Sequence, residues 1–193
     1  MDITPIFPQL LFSCTIPVPE GLIEYCSILK EGKKEYRSLF GGWETPNDLY
    51  RNEDFVNKFL KPYFLPKFND ELRSIKFPKW KFNSCWIAQL HQNGYHVSHI
   101  HANTDIAFVW YLKISENKGG HLSIRNPYEY QSHNLISNLD EQINQELNLY
   151  PAFNIAPREG LLLMFPAYLY HSVLPSTADN RIAMSGNILI VNN

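Results

Sequence analysis

The chain has few cysteines and no long apolar run. Its three cysteines, Cys14, Cys26 and Cys85, are scattered and form no CxxC pair, so the sequence predicts neither a disulfide framework nor a zinc knuckle. Apolar stretches such as residues 161–165 fall far short of the ~20 residues that span a bilayer. The first residues lack the basic start and apolar core of a signal peptide. We therefore expect a soluble cytoplasmic protein.

The chain also lacks an excess of charge of either sign. It has 17 basic and 19 acidic residues and a net charge of -2, which gives no electrostatic reason to expect binding to nucleic acid or membranes. Hydrophobic residues make up 45% of the chain and aromatic residues 14%, enough for one large core. The length of 193 residues fits a single domain over residues 1–193.

Residues 1–80 are predicted as a helical support. Apolar residues recur at helical spacing over residues 20–30 and again from about residue 48 to Leu60, where Pro62 is predicted to limit the second helix. A short third helix is predicted over residues 69–75. These apolar faces are interpreted as packing surfaces.

From residue 81 onward the pattern changes to short β-rich runs separated by polar turns. Asn93-Gly94 is a turn signal after the first run. Strands without long helices between them predict a mainly β fold, an antiparallel jelly roll or double-stranded β-helix of cupin-like type over residues 81–193. The polar segment 126–157, with a possible helix inside 137–149, is predicted as a lid, on which Tyr128 and Tyr130 could touch a substrate. The predicted strands cover residues 82–90, 106–112, 121–124, 161–165, 168–174 and 181–191.

Three histidines and one arginine give the strongest chemical signal. His99 and His101 are two residues apart, so on an extended strand their side chains point to the same face. His171 lies on a later predicted strand, and a third imidazole there could close a metal site. Arg181 follows it and could hold an anionic co-substrate, because a guanidinium pairs with a carboxylate through two hydrogen bonds. The spacing suggests a non-haem metal oxygenase.

The motifs around these residues carry a wider resemblance. Asn93-Gly94, His99-Ile100-His101, residues 108–112, Gly119-Gly120-His121-Leu122 and the segments 160–166, 171–175 and 181–187 follow one another in this order. Over about residues 82–190 the chain resembles the C-terminal two-thirds of 2-oxoglutarate- and Fe(II)-dependent oxygenases. Its nearest relatives are expected among bacterial and phage oxygenases with an HxH first motif.

The resemblance implies a double-stranded β-helix fold and a dioxygenase that uses Fe(II), 2-oxoglutarate and O2. Such an enzyme hydroxylates a substrate and releases succinate and CO2. It implies that His99 and His171 are iron ligands and that Arg181 pairs with the far carboxylate of 2-oxoglutarate. Tyr111, Gln89 and Asn187 are weaker candidates for contacts with the co-substrate, and Ser185 is similarly placed, although Ala183 breaks the Arg-x-Ser pairing of many relatives.

His101 is the departure from the usual pattern of two histidines and one carboxylate. It could ligate directly and give an all-histidine site. It could instead lie behind the ligands with water in the third position, or Asp105 or Asn103 could supply an oxygen ligand from the following loop. An all-histidine site would carry one more positive charge than the usual site.

Two rival functions remain open at the level of sequence. One is a three-histidine cupin-type oxygenase or isomerase that does not use 2-oxoglutarate, and the other is a jelly-roll binding module without catalysis. A zinc hydrolase lacks an evident general base. The remaining histidines, His91, His96, His121 and His133, are read as surface residues or as neighbours of the ligands. The substrate is expected to be a small molecule or peptide, and the oligomeric state, including a homodimer, is open.

Overall fold

Nine strands form one curled antiparallel sheet in the computed structural model, which describes residues 9–29, 38–115, 119–128, 134 and 137–191. The strands are β1 (Phe12–Thr15), β2 (Leu39–Glu44), β3 (Trp80–His99), β4 (Ile106–Lys113), β5 (Leu122–Arg125), β6 (Ala152–Ile155), β7 (Leu161–Pro166), β8 (His171–Val173) and β9 (Arg181–Ile190). Their order is β1-β7-β4-β9-β3-β8-β5-β6, with β2 paired to β3. This architecture confirms the predicted jelly-roll class and the six predicted strands.

Each side of the sheet buries a different set of side chains, because successive residues of a strand point to opposite faces. On β4, Phe108 and Trp110 belong to a core shared with the helices, whereas Val109 and Tyr111 belong to a second core inside the curl. Burial on both faces explains why the β4 sequence is apolar without alternation. The inner face is therefore the one on which a site can form.

The helices before β3 pack on the outer face of the sheet, and one further helix follows β5. They are α1 (Leu22–Leu29), a 3₁₀ turn (Leu49–Arg51), α2 (Glu53–Phe55), a π-helical segment (Val56–Phe64), α3 (Leu65–Ser74) and α4 (Glu141–Leu147). Phe64 contacts Trp110 at a centroid distance of 5.2 Å, and Phe68 contacts Trp80 at 5.1 Å. None of the helices among the described residues is long and apolar enough to cross a membrane.

The prediction that Pro62 limits the second helix is wrong. The chain continues from α2 through the π-helical segment into α3, and the amide of Leu65 bonds to the carbonyl of Leu60. A proline lacks an N–H and crowds the carbonyl four residues earlier, and the wider i→i+5 turns of this segment accommodate Pro62 inside a continuous helix. Buried Leu60, Phe64 and Phe68 hold this composite helix against the sheet.

The predicted turn at Asn93-Gly94 is also wrong, because β3 runs through it. The strand pairs with β9 up to Leu90 and with β8 from His96 onward, and its register with β2 shifts between these two parts. Asn93 has a left-handed φ of 63°, so the turn residues make an irregularity inside a bent strand. This bend carries the end of β3 over to β8.

Parts of the predicted division of the chain need correction. Residues 1–80 contribute β1 and β2 to the sheet, in addition to helices. Within 126–157, α4 lies where a helix was predicted, but β6 extends the sheet by pairing with β5. Tyr128 is exposed, while Tyr130 and His133 lie outside the described residues.

Candidate metal centre

A cavity of about 290 Å³ opens on the inner face of the sheet. All three candidate ligands, His99, His101 and His171, line it together with Arg181 and Tyr111. The first histidine ends β3, the second lies in the following segment, and the third begins β8. Strand pairing therefore brings together residues that are about 70 positions apart in the chain.

The three imidazoles converge because of register. His99 lies directly opposite His171 in the β3–β8 pair, and their ring centroids are 4.4 Å apart. His101 is held by a bond from its backbone N–H to the carbonyl of Ala167, 3.0 Å away, and Ile100 between the two histidines is exposed. The ligand nitrogens of the three residues all lie within 4.8 Å of one another.

Two of the rings are oriented by backbone carbonyls. His99 Nδ1 lies 2.7 Å from the carbonyl of Val97, and His171 Nδ1 lies 2.9 Å from that of Leu169. A neutral imidazole that donates from Nδ1 keeps a bare Nε2, the form in which histidine binds metals. Burial, reinforced by His99, lowers the pKa of His171 to about 3 and that of His101 to about 4, so both are neutral at physiological pH.

The spacing of these nitrogens fits a metal ion. His101 Nε2 and His171 Nε2 are 3.1 Å apart. Two nitrogens at about 2.1 Å from a metal, in neighbouring positions of an octahedron, would be about 3 Å apart. Three imidazoles on one side of an ion would leave three positions open, as in other non-haem iron sites.

Asn187 and Ser84 lie behind His101. Asn187 Nδ2 is 2.7 Å from Ser84 Oγ and 3.2 Å from His101 Nδ1, while Asn187 Oδ1 has no hydrogen-bond partner among the described residues. The two ends of an amide exchange places by a half-turn of the side chain. Turned over, Oδ1 could accept hydrogen bonds from Ser84 and from His101 Nδ1–H, which would direct the bare His101 Nε2 toward a metal. Asn187 is thus placed to orient His101.

Arg181 is a buried cation without a counter-ion. It is 5% exposed and begins β9, and its Nε donates to the carbonyl of Gly120 at 3.2 Å. No carboxylate of the described residues forms an ion pair with it. Its guanidinium lies over the ring of Tyr111 at 5.0 Å from the centroid. A buried guanidinium of this kind has the charge and the donors to pair with an anion, so Arg181 is a candidate anion site.

Two neighbours shape this anion site. The buried hydroxyl of Tyr111 lies beside the Arg181 guanidinium and makes no hydrogen bond of standard geometry among the described residues. Burial raises its pKa, so its proton remains available for donation. Gly120 has a φ of 68°, and a Cβ there would lie 2.7 Å from Arg181 Cδ. The glycine of the Gly119-Gly120 motif therefore leaves space for the arginine stem.

Other predicted residues lie elsewhere. Gln89 accepts from Trp43 Nε1 at 3.0 Å and donates to Asn180 at 2.6 Å, and it is absent from the cavity lining. Both ends of its amide are used inside the protein, so we no longer assign it to the co-substrate.

The loop alternatives to His101 lie away from the cluster as well. Asp105 Oδ2 accepts from the backbone N–H of Ile190 at 2.7 Å, and it is not part of the metal-binding group. The backbone carbonyl of Asn103 accepts from Asn83. Ser185 does line the cavity.

Sequence reasoning missed part of the cavity wall. Glu44, Trp86 and His96 all line it, although residues 1–80 were predicted as a helical support and His96 as a surface residue or a neighbour of the ligands. Glu44 is 6% exposed. An acidic residue in a segment with the apolar character of β2 was the only local signal.

A curled jelly-roll sheet with three converging histidines and a buried arginine defines a non-haem metal oxygenase. A family model described as "Putative 2OG-Fe(II) oxygenase" matches residues 84–187, more than half of the chain. The chain belongs to this family, whose members are Fe(II)- and 2-oxoglutarate-dependent oxidoreductases that use O2. No curated protein matches its sequence.

Solved structures show the same fold at low identity. A 2OG-Fe(II) oxygenase-family oxidoreductase from Burkholderia pseudomallei is 10% identical, with a TM-score of 0.62 over 95% of this chain and 85% of its own. A prolyl-4-hydroxylase from Pseudomonas putida is 13% identical, with a TM-score of 0.59 over 95% and 94%. HygX from Streptomyces hygroscopicus, solved with nickel and 2-oxoglutarate, is 10% identical, with a TM-score of 0.60 over 95% and 84%.

Proposed function

We propose that this protein hydroxylates a C–H bond of a small-molecule or peptide substrate. In the balanced reaction, substrate, 2-oxoglutarate and O2 give hydroxylated substrate, succinate and CO2. His99, His101 and His171 hold Fe(II), and Arg181 holds the far carboxylate of 2-oxoglutarate. The observation that carries the proposal is the unpaired, buried Arg181 in the same cavity as three converging imidazoles.

The chain's own residues bind, orient and exclude water. Bound Fe(II) would supply the activation of O2 that is coupled to decarboxylation of 2-oxoglutarate. Arg181 and the Tyr111 hydroxyl orient the far carboxylate by charge-assisted hydrogen bonds. Phe165 packs edge-on against His171 at 4.8 Å between centroids, and this apolar wall keeps water from the reacting groups.

Direct ligation by His101 is the assignment that the geometry favours. Its Nε2 lies 3.1 Å from that of His171, whereas the carboxylate of Asp105 is bound to the backbone of β9. A site of three neutral imidazoles keeps the full charge of Fe(II). That charge strengthens the hold on the dianionic co-substrate relative to a site with a carboxylate ligand.

Calorimetric titration of 2-oxoglutarate into Ni(II)-loaded protein tests the proposal. We expect binding that falls by at least tenfold in Arg181→Ala, because a buried charge-assisted pair is lost. Arg158→Ala, at an exposed arginine, is the matched control and should bind as the wild type does. Equal binding in all three proteins would refute the role of Arg181, and absence of binding in the wild type would favour the cupin-type oxygenase that does not use 2-oxoglutarate.

Succinate release by anaerobically Fe(II)-loaded protein, exposed to O2, tests catalysis. Slow turnover without substrate is expected for the wild type and for His91→Ala, whose histidine is partly exposed on the surface. It should be lost in His171→Ala together with stoichiometric metal binding. Unchanged turnover and metal content in His171→Ala would contradict the proposed ligand set.

A further inference from the structure

A second charged group faces the cavity on the strand pair β2–β3. Glu44 is the last residue of β2 and pairs with Ala88 of β3. Its side chain lines the cavity and only 6% of the residue is exposed. A carboxylate so deeply buried requires a partner, because its desolvation costs several kcal/mol when it is unpaired.

The protein supplies no adequate partner. Among the described residues, the nearest basic group is His96 Nε2, 3.6 Å from Glu44 Oε1. That separation is longer than a hydrogen bond, so His96 does not satisfy the carboxylate. Burial raises the pKa of Glu44 to about 7, although the neighbouring Trp86 opposes the rise.

Trp86 is the hydrogen-bond donor beside the Glu44 carboxylate. Its buried indole Nε1 makes no hydrogen bond of standard geometry in the described part of the chain, but it lies close enough to the carboxylate to favour the charged form. A neutral N–H does not supply the positive charge that a buried carboxylate needs. The ring of Trp86 is 5.9 Å from the ring of His101, so this pair lies near the proposed iron ligands.

The cavity thus holds a buried guanidinium and a buried carboxyl group that do not pair with each other. Arg181 and Glu44 both line it, yet no ion pair joins them in the described ranges. Buried polar groups left unpaired in a native structure call for a ligand. Arg181 suits the far carboxylate of 2-oxoglutarate, which leaves Glu44 for a group of positive charge.

We propose that Glu44 and Trp86 bind a cationic nitrogen of the substrate, an ammonium or guanidinium group, and so place a neighbouring carbon near the iron. This inference rests on the proposed function, because it assigns the substrate of that same site. A cation satisfies the carboxylate by a charge-assisted hydrogen bond, and the face of Trp86 adds a favourable cation–aromatic contact. The cation belongs either to a free small molecule or to a residue of a peptide.

Matched probes that differ in charge test the proposal on the full chain loaded with Ni(II) and 2-oxoglutarate. Nα-acetyl-L-arginine is compared with Nα-acetyl-L-citrulline, and Nα-acetyl-L-lysine with Nα-acetyl-L-norleucine, so that the side chain is the only group whose positive charge differs within a pair. The same four side chains are presented in blocked tripeptides, which distinguishes a peptide source from a free one. Binding is measured by calorimetry. In at least one pair the cationic probe should bind at least tenfold tighter than the neutral probe.

Glu44→Gln should abolish the preference for the cationic probes, since it removes the negative charge and keeps the size and shape of the side chain. Glu24→Gln, at an exposed glutamate of α1, should keep it. Trp86→Phe keeps the Glu44 carboxylate but replaces the indole by the smaller aromatic face of a phenyl ring, and should weaken binding of the cationic probe by severalfold. This second variant tests the site even if Glu44→Gln fails to fold, which circular dichroism would reveal.

Two results would overturn the inference. One is the absence of any preference for cationic probes in the wild type, and the other is a preference that persists in Glu44→Gln. Titration of 2-oxoglutarate in the same samples separates this failure from failure of the proposed function. If 2-oxoglutarate binds and the preference is absent, only the substrate assignment is wrong; if 2-oxoglutarate does not bind, the proposed function is wrong.

Discussion

The Glu44 carboxylate should make the protein less stable as the pH rises, and Glu44→Gln should remove that loss. The carboxylate is buried beside His96 and Trp86. Burial lowers the pKa of His96 to about 3, so neither neighbour titrates between pH 5 and 8. The folded state holds the Glu44 proton up to about pH 7, whereas the unfolded chain releases it near pH 4.5. Between these values the folded protein binds more protons, so its stability falls with rising pH.

The size of the effect follows from the rise in pKa. A change from 4.5 to about 7 corresponds to about 3 kcal/mol at about 1.4 kcal/mol per pH unit. About 2 to 3 kcal/mol of this falls between pH 5 and pH 8. For a domain of this size, that is about 5–10 °C in the midpoint of thermal unfolding. His96, His101 and His171 are common to both proteins, so their titration cancels in the comparison.

The assay is urea unfolding of metal-free wild type and Glu44→Gln at several pH values, with Glu24→Gln as the control. The advantage of Glu44→Gln over the wild type should be small at pH 5 and largest at pH 8. A structural role for the carboxylate predicts the reverse, a variant less stable than the wild type at pH 8. That result, or a difference that does not change with pH, would refute the argument that Glu44 is an unpaired buried charge.

Three further substitutions separate the metal site from the anion site. Asn187→Leu removes the amide behind His101 and should weaken Co(II) binding by 10–100-fold, as loss of a group that orients a ligand does; an unchanged affinity in spectroscopic titration would exclude that role. Tyr111→Phe should weaken 2-oxoglutarate binding by about 3–10-fold in calorimetry and leave metal affinity unchanged. Gly120→Ala would place a side chain at a positive φ and in close contact with Arg181 Cδ. It should therefore weaken 2-oxoglutarate binding more than Tyr111→Phe does. A smaller loss of binding in Gly120→Ala than in Tyr111→Phe would contradict the packing argument.

Local periodicity predicted most of the central strands but not the edges of the sheet. The strand at 106–112 was found within one residue of β4 (Ile106–Lys113), because a run of β-branched and aromatic residues favours extended structure whatever its partners. β1 and β6 lie at the two ends of the strand order, where a strand has one neighbour and its apolar pattern is weak. Pro62 misled the prediction because packing against the sheet outweighs the local penalty of proline.

The site residues also divide into those predicted from local spacing and those whose contacts lie far away along the chain. His99 and His101 share a face because of their spacing alone, and their motif together with His171 and Arg181 predicted the family. Gln89 was misassigned because its partner Asn180 lies about 90 residues away. Such a contact depends on how two strands align, which no short stretch of sequence reveals.

The sequence by itself determined the family, the mainly β class and the identity of the converging histidines. Only the tertiary structure showed that Asp105 bonds to the backbone of β9 and that Asn187 lies behind His101. Only the structure showed that Glu44 lines the same cavity as the histidines. The physical reason is the distance along the chain over which each interaction acts. Strand propensity and the two-residue repeat are decided by neighbours along the chain, whereas burial and the pairing of charges are decided by sheet register. The HxH motif therefore indicated a metal, and the folded sheet brought an unpaired arginine and an unpaired glutamate into one cavity beside it.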